Sequence, residues 1–574
     1  MIKEINYSDG NVENRIEYLL QNATDLNSSK NIGESEYQSW PIKYHLSSIR
    51  SNCIRHLNFK DLDVLELGAG MGAMSRFVAE NCNHLTVIEG TQLRFNCLKS
   101  RLRDLSNWDG VVCNYQDFTT TRKYDVVCFF GVLEYAGKYI DNSDPFAWAI
   151  NHAKSFLKED GILLIAIENK NGLKYFSGAS EDHLGKSFHG ICGYSEVNGV
   201  KTFSKNEMLE ILRISGFEKV DIHHLSPDYK TTRAVLTNDF LVKEPIVSAN
   251  VLSNYAFEDY SKERKVLFPE RLAMLSLAKS GLITDFSNSY LFIASVKKES
   301  PTLNSLLDKI YKDKKLGFLY TEGRINDVKT EFIQEKEVII AKKEYLHPSN
   351  LMKFNDKITN VFEKDVLHGG KELSCLFLNY LYYDNKQEFM ILLKSFILEC
   401  FNLYKTPDNN FLDPKSFDAV IRNAKLNENG NFIIFDNEYM TSFKISKSYF
   451  IFRNVLSIMN FKDYFVNSGF KSFYDFYNHL CREFELIPNF EVDFETEINI
   501  QDSICKTKII SDIFRSTFFE PIKSSTDIPD FSEKSFKLFG KKIFSKRKKN
   551  NKRIIKLLGL KFTYNSRRTK NVTK

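Results

Sequence analysis

No C-x-x-C pair occurs in this sequence, and its ten cysteines are scattered over 574 residues. That spacing excludes a disulfide framework or a cysteine zinc cluster and predicts reduced, mostly buried thiols in a cytoplasmic protein. No apolar run approaches the roughly 20 residues that a membrane-spanning helix needs. The opening Met1-Ile-Lys-Glu-Ile-Asn6 lacks the basic and then apolar pattern of a secretory signal. A net basic charge is also missing from most of the chain. From Ser535 onward there are fifteen Lys or Arg and no Asp or Glu, and removing those fifteen from the net +6 leaves −9 on the rest. The body therefore has no basic stripe, and no nucleic-acid partner is expected. At this length one compact core is not enough, so two or more domains are expected.

What is present starts at Asp63-Val-Leu-Glu-Leu-Gly-Ala-Gly-Met-Gly72, a short apolar strand that runs into three glycines at alternate positions. Glycines there let the chain turn tightly and let a ligand approach the backbone. A second strand, His84–Ile88, ends at Glu89. That acid lies about twenty residues beyond the turn, the offset of an acid that binds ribose hydroxyls. Apolar strands are also predicted from Val111, from Tyr124 and over Gly161–Glu168.

The pattern Glu66-x-Gly68-x-Gly70-x-Gly72, with an acid before the first glycine, resembles the first motif of class I S-adenosylmethionine (SAM)-dependent methyltransferases. The resemblance implies an α/β, Rossmann-like, seven-stranded methyltransferase sheet with SAM as cofactor. It implies that Glu66, Gly68, Ala69, Gly70 and Gly72 hold the methionine end, and Glu89 with Gly90 the ribose. Gln116, Asp117 and Phe118 would reach the adenine, Phe130 and Gly131 would border the methyl, and the upstream Tyr44 is also expected at the cofactor. No metal is expected.

Glu168-Asn-Lys-Asn-Gly-Leu-Lys-Tyr-Phe-Ser-Gly-Ala-Ser-Glu181-Asp182-His183-Leu-Gly185 follows the fifth strand. It lies where ligands bind in open α/β sheets, outside the carboxyl ends of the strands. Together with Gly131-Val-Leu-Glu-Tyr-Ala136 and Pro227-Asp-Tyr-Lys230 it is similar to bacterial methyltransferases encoded with glycosyltransferases for surface polysaccharides. That likeness implies O-methylation of an O-antigen or capsule glycan, or of its lipid-linked precursor. His183 is the expected base, with Glu181 and Asp182 orienting the ring. His189 is a weaker candidate, and ordering of the loop is the structural alternative.

The expected domains are a methyltransferase domain over 1–298, with an insertion at about 225–287, an α+β accessory domain over 301–530, and a basic amphipathic tail over 531–574. The accessory domain faintly resembles small-molecule kinases, with Asp413, Asp418 and Asp436 at the acid positions and Lys342 as the strand lysine. Phe411 where a histidine is usual, and no glycine-rich phosphate loop, point to a degenerate copy. In the tail, Lys537-Leu-Phe-Gly is echoed by Lys556-Leu-Leu-Gly, cations interleaved with bulky apolar residues. Such a segment suits the inner-membrane surface. Two alternatives stay open: a bifunctional methyltransferase and kinase that caps a glycan, and a membrane scaffold for glycosyltransferases.

Overall fold

The computed structural model describes residues 10–194, 199–255, 257, 259–260, 264–348, 351–352, 356–367, 369–505 and 511–522, and four strands within 534–565. Its first strands are β1 (Asp63–Leu67), β2 (His84–Glu89), β3 (Trp108–Val112), β4 (Tyr124–Phe130) and β5 (Leu157–Glu168). They pair in parallel in the order β3-β2-β1-β4-β5. Neighbouring residues of one strand serve different cores. Val64, Val126 and Ile162 pack into one cluster, Leu65, Val127 and Leu163 into another. A sheet covered on both faces explains why these strands read as near-continuous apolar runs.

Then come β6 (Lys219–Ser226), β7 (Ala234–Thr237) and β8 (Ser289–Ser295). β8 lies antiparallel between β5 and β6, with Ile165 opposite Phe292 and Ile222 opposite Phe292 on the other side. The seven strands β3-β2-β1-β4-β5-β8-β6 do not end the sheet. β7 pairs with β6 and then with β9 (Lys315–Thr321), which continues into β10 (Val328–Glu335), β11 (Val338–Tyr345) and the short strand Asp365–Val366. The result is one twelve-stranded sheet. It crosses the expected boundary near 298–301 without a break, because β7, inside the expected insertion, supplies the edge on which β9 forms.

Beyond the sheet a helical body forms around phenylalanines. Helices Leu373–Tyr382, Lys386–Leu403, Lys447–Met459 and Phe473–Glu483 bury Phe377, Phe389, Phe452 and Phe476 completely. Each such side chain contributes about 1.5–3 kcal/mol through burial. Arg453 and Glu497 make a buried ion pair at 2.8 Å across this core. In the tail, Lys534–Leu538, Lys541–Lys549, Lys552–Leu557 and Leu560–Asn565 pair as four antiparallel strands.

Candidate active site

β1 runs out at Leu67, and the chain turns through Gly68, Gly70 and Gly72 at φ +76°, +55° and +76°. Those left-handed angles suit glycine alone. The Gly68 and Ala69 N–H groups donate to the Ile88 carbonyl at 2.8 and 2.9 Å, which ties the turn to the end of β2. A Cβ on Gly68 would meet Val132 Cγ2 at 2.8 Å, whereas a Cβ on Gly70 would meet nothing within 4 Å. Gly68 is thus required by the protein itself, and Gly70 faces open space. The Gly70 N–H donates to Glu89 Oε2 at 2.8 Å, and Glu89 Oε1 accepts from the Thr91 N–H at 3.0 Å.

The open space is one cavity, lined on the cofactor side by Glu66, Gly68, Ala69, Gly70, Glu89 and Gly90. Phe130, Gly131 and Tyr44 also border it. Arg50 holds Tyr44, donating to its hydroxyl at 3.1 Å and lying 4.1 Å over its ring. Three expected contacts are displaced. Gln116, Asp117 and Phe118 do not line the cavity; Cys113, Asn114 and Tyr115 do. β3 ends at Val112, so the wall comes directly after it, and the tight turn Tyr115–Asp117 carries Asp117 to the surface. Gly72 packs against Leu98 and Arg101 and does not reach the cavity.

Glu66 Oε2 is buried without a hydrogen-bond partner. Burial, with Glu89 nearby, raises its carboxyl to about 8, so it rests protonated at neutral pH. An orphaned acid beside a glycine cradle fits the ammonium and backbone-facing end of SAM. A cation there favours the carboxylate, so cofactor binding is expected to release a proton. Affinity should rise between about pH 6 and 8, and Glu66→Gln should flatten that slope. Calorimetry in buffers of different ionisation heat reads the proton directly; equal heats in all buffers would refute it.

Across the cavity from the turn lies a buried charge network. Lys174 Nζ is 2.9 Å from Asp182 Oδ2 and 3.4 Å from Asp228 Oδ2, with all three side chains fully buried. Lys230 reaches Asp182 Oδ2 at 2.7 Å and also pairs with Glu168. Asp182 Oδ1 is buried with no hydrogen-bond partner, and Asp182 lines the cavity. His183 lines it too, but its ring is not oriented by its chain neighbours. Glu181 instead accepts from the His183 and Leu184 N–H groups at 2.9 and 2.6 Å and from the Tyr194 hydroxyl at 3.0 Å, closing the loop on itself. Asp182 turns to the lysines. The groups that face the imidazole are Glu168 Oε2 at 3.3 Å, Glu134 Oε1 at 3.8 Å and, on Nδ1, the Tyr135 hydroxyl at 3.1 Å.

Burial works against the imidazolium, but the Glu168 charge and hydrogen bond, with Glu134, outweigh it and raise His183 to about 9. Burial and the Glu168 charge raise Glu134 to about 7. At neutral pH His183 therefore rests protonated, and a protonated imidazole cannot take a proton from an acceptor. His189 does not line the cavity; its ring lies edge-on to Tyr194 at 5.5 Å. Trp40 and Tyr260 also face the cavity, stacked at 4.1 Å. The sequence gives no spacing signal for these two rings or for Arg50. Lys230 sits in the Pro227-Asp-Tyr-Lys motif.

In the C-terminal half the acids serve the fold. Asp413 caps a turn by accepting from the Lys415 N–H at 2.9 Å. Asp418 is buried and accepts from the Glu438 and Tyr439 N–H groups at 3.0 and 2.7 Å. The lysine that meets Asp436 is Lys343, at 2.5 Å. Lys342 is exposed, because alternate residues of β11 face opposite sides.

The Nodulation protein S (NodS) family model matches residues 13–173. The structure of N-methyltransferase NodS from Bradyrhizobium japonicum WM9, in complex with S-adenosyl-L-homocysteine, is 21% identical over 28% of this chain and 74% of that one, with a TM-score of 0.19. The DhpI complex with SAH is 20% identical over 38% of this chain and 92% of that one, TM-score 0.22. Phosphoethanolamine N-methyltransferase 2 of Haemonchus contortus, with S-adenosyl-L-methionine, is 16% identical over 42% and 49%, TM-score 0.25. No curated protein matches the chain. With the glycine cradle, Glu66 and Glu89 on one cavity, the family match defines the class: the chain is a SAM-dependent methyltransferase, and S-adenosylmethionine is its methyl donor.

Proposed function

We propose that the chain methylates a hydroxyl group of a saccharide, of the kind found in bacterial surface glycans or their lipid-linked precursors. The observation that carries this reading is Asp182. Its Oδ1 is buried and without a partner, on a cavity that also contains the glycine cradle. A sugar hydroxyl supplies the hydrogen bond that this oxygen lacks. Bound SAM supplies an electrophilic methyl group on sulfonium. The residues contribute alignment and exclusion of water, the main sources of rate in such a transfer. Asp182 Oδ1 accepts the hydroxyl proton, and Lys174 and Lys230 hold the carboxylate in place. His183, held between Glu134 and Glu168, positions the loop and the Tyr135 hydroxyl.

Because His183 positions the loop that carries Asp182, His183→Gln is expected to lower turnover roughly 100-fold while SAM affinity stays unchanged. Turnover near wild type would remove His183 from the acceptor side. An amine acceptor is the second reading, favoured by the acidic wall and by the N-methyltransferase activity named for NodS of Bradyrhizobium japonicum. Mass and linkage analysis of the glycan from cells with and without the protein separates the two. An O-methyl sugar that disappears supports the first; an N-methyl group, or no change, rejects it.

A further inference from the structure

Three side chains at the acceptor end of the cavity form a donor set whose chemistry goes beyond proton transfer. Glu134 stands on the turn Leu133–Tyr135 after β4, Glu168 ends β5, and His183 comes from the loop beyond. One ligand atom from each lies within 4.8 Å of the other two. His183 Nε2 is 3.3 Å from Glu168 Oε2 and 3.8 Å from Glu134 Oε1. Two donors on one metal, each about 2.0–2.2 Å away, stand roughly 3–4 Å apart, so this spacing needs little rearrangement.

Glu134 supplies the independent observation. Its side chain is fully buried, and neither carboxylate oxygen has a hydrogen-bond partner. Buried carboxylates are almost always satisfied, so an unsatisfied one leaves room for a partner such as water or an ion. Charge points the same way. Glu134, Glu168, Asp182 and Asp228 are four buried carboxylates facing two buried lysines, Lys174 and Lys230. Carboxylates thus outnumber lysines in this network. Lys230 takes Glu168 Oε1, which leaves Oε2 toward the histidine.

We propose that Glu134, Glu168 and His183 bind one first-row divalent cation of the Mn2+ type. Two carboxylate oxygens and one imidazole nitrogen suit such ions, and the set contains no thiolate that would select a softer metal. The Tyr135 hydroxyl on His183 Nδ1 fixes the ring so that Nε2 points at the two carboxylates. The cation holds together β4, β5 and the loop that carries Asp182. That it thereby sets Asp182 toward a sugar hydroxyl rests on the proposed function; that it binds does not.

The test uses the full chain, stripped with a chelator and titrated with Mn2+, free ion being read by electron paramagnetic resonance. One Mn2+ per chain is expected, with Glu134→Gln and His183→Gln each weakening it at least roughly 10-fold. SAM binding by calorimetry shows that each variant is folded. Absence of saturable Mn2+ binding, or equal binding by wild type and both folded variants, overturns the site. Mn2+ bound at this site with no methylated saccharide leaves the site standing and sinks the acceptor reading. O-methylation by a chain that binds no Mn2+ in the titration does the reverse.

Discussion

Replacing Gly131 by alanine is expected to weaken SAM binding by roughly 10- to 100-fold. Gly131 follows β4 at φ +70°, and its N–H donates to the Ala166 carbonyl at 3.0 Å. An added Cβ would collide with the Tyr229 hydroxyl. Tyr229 is buried and lines the cavity, so it cannot yield without moving into it or displacing Lys230 next in the chain. The backbone angle adds strain of about 1–3 kcal/mol for a residue with a Cβ. Gly70→Arg isolates the cofactor. Its side chain starts in open space, so the variant should lose only the backbone strain of about 1–3 kcal/mol in stability yet bind no SAM. Calorimetric titration together with a thermal melt reads both. A Gly131→Ala variant with unchanged affinity would mean that Tyr229 is not a fixed wall.

The second large effect lies in Lys174. Substitution by methionine is expected to destabilise the methyltransferase half by about 3–5 kcal/mol. The ammonium is fully buried between Asp182 and Asp228, at 2.9 and 3.4 Å. Removing it leaves Asp228 with the Tyr260 hydroxyl at 2.7 Å and the Lys230 and Thr231 N–H groups at 3.0 and 3.2 Å, but no opposite charge in contact. An uncompensated buried charge costs far more than a surface pair contributes. Adding Asp228→Asn to Lys174→Met should therefore recover part of the loss. Thermal melts of the single and double variants decide it. A single variant as stable as wild type would show that the network does not hold the loop.

The cofactor half was largely legible in the sequence because its signals are local. Glycines at alternate positions dictate a turn, and an acid at the expected offset marks the next strand tip. His84–Glu89 forms a strand within a residue of where the apolar pattern places it. β3 was harder. Trp108-Asp-Gly-Val-Val has only two apolar residues at its end, so its start was invisible and the adenine wall fell three residues too late. The partners of His183 were illegible for a different reason. Glu134 and Glu168 lie 49 and 15 positions away in the chain, and only the parallel pairing of β4 with β5 brings them to one point. Adjacent Glu181 and Asp182 looked better placed, yet the loop turns them toward backbone N–H groups and lysines. Likewise Lys342 and Lys343 are equivalent until the pleat of β11 assigns one to each face.

The continuous sheet bears on how the chain is made. β7 is hydrogen-bonded to β9, with Val235 opposite Phe318, across the join between the two halves. Until residues 315–321 leave the ribosome, β7 is a bare edge whose unpaired N–H and C=O groups invite another strand. The first 300 residues can thus collapse around the nucleotide cradle during synthesis but cannot seal their flank. The C-terminal half, whatever else it does, acts as a built-in partner that seals this flank against self-association.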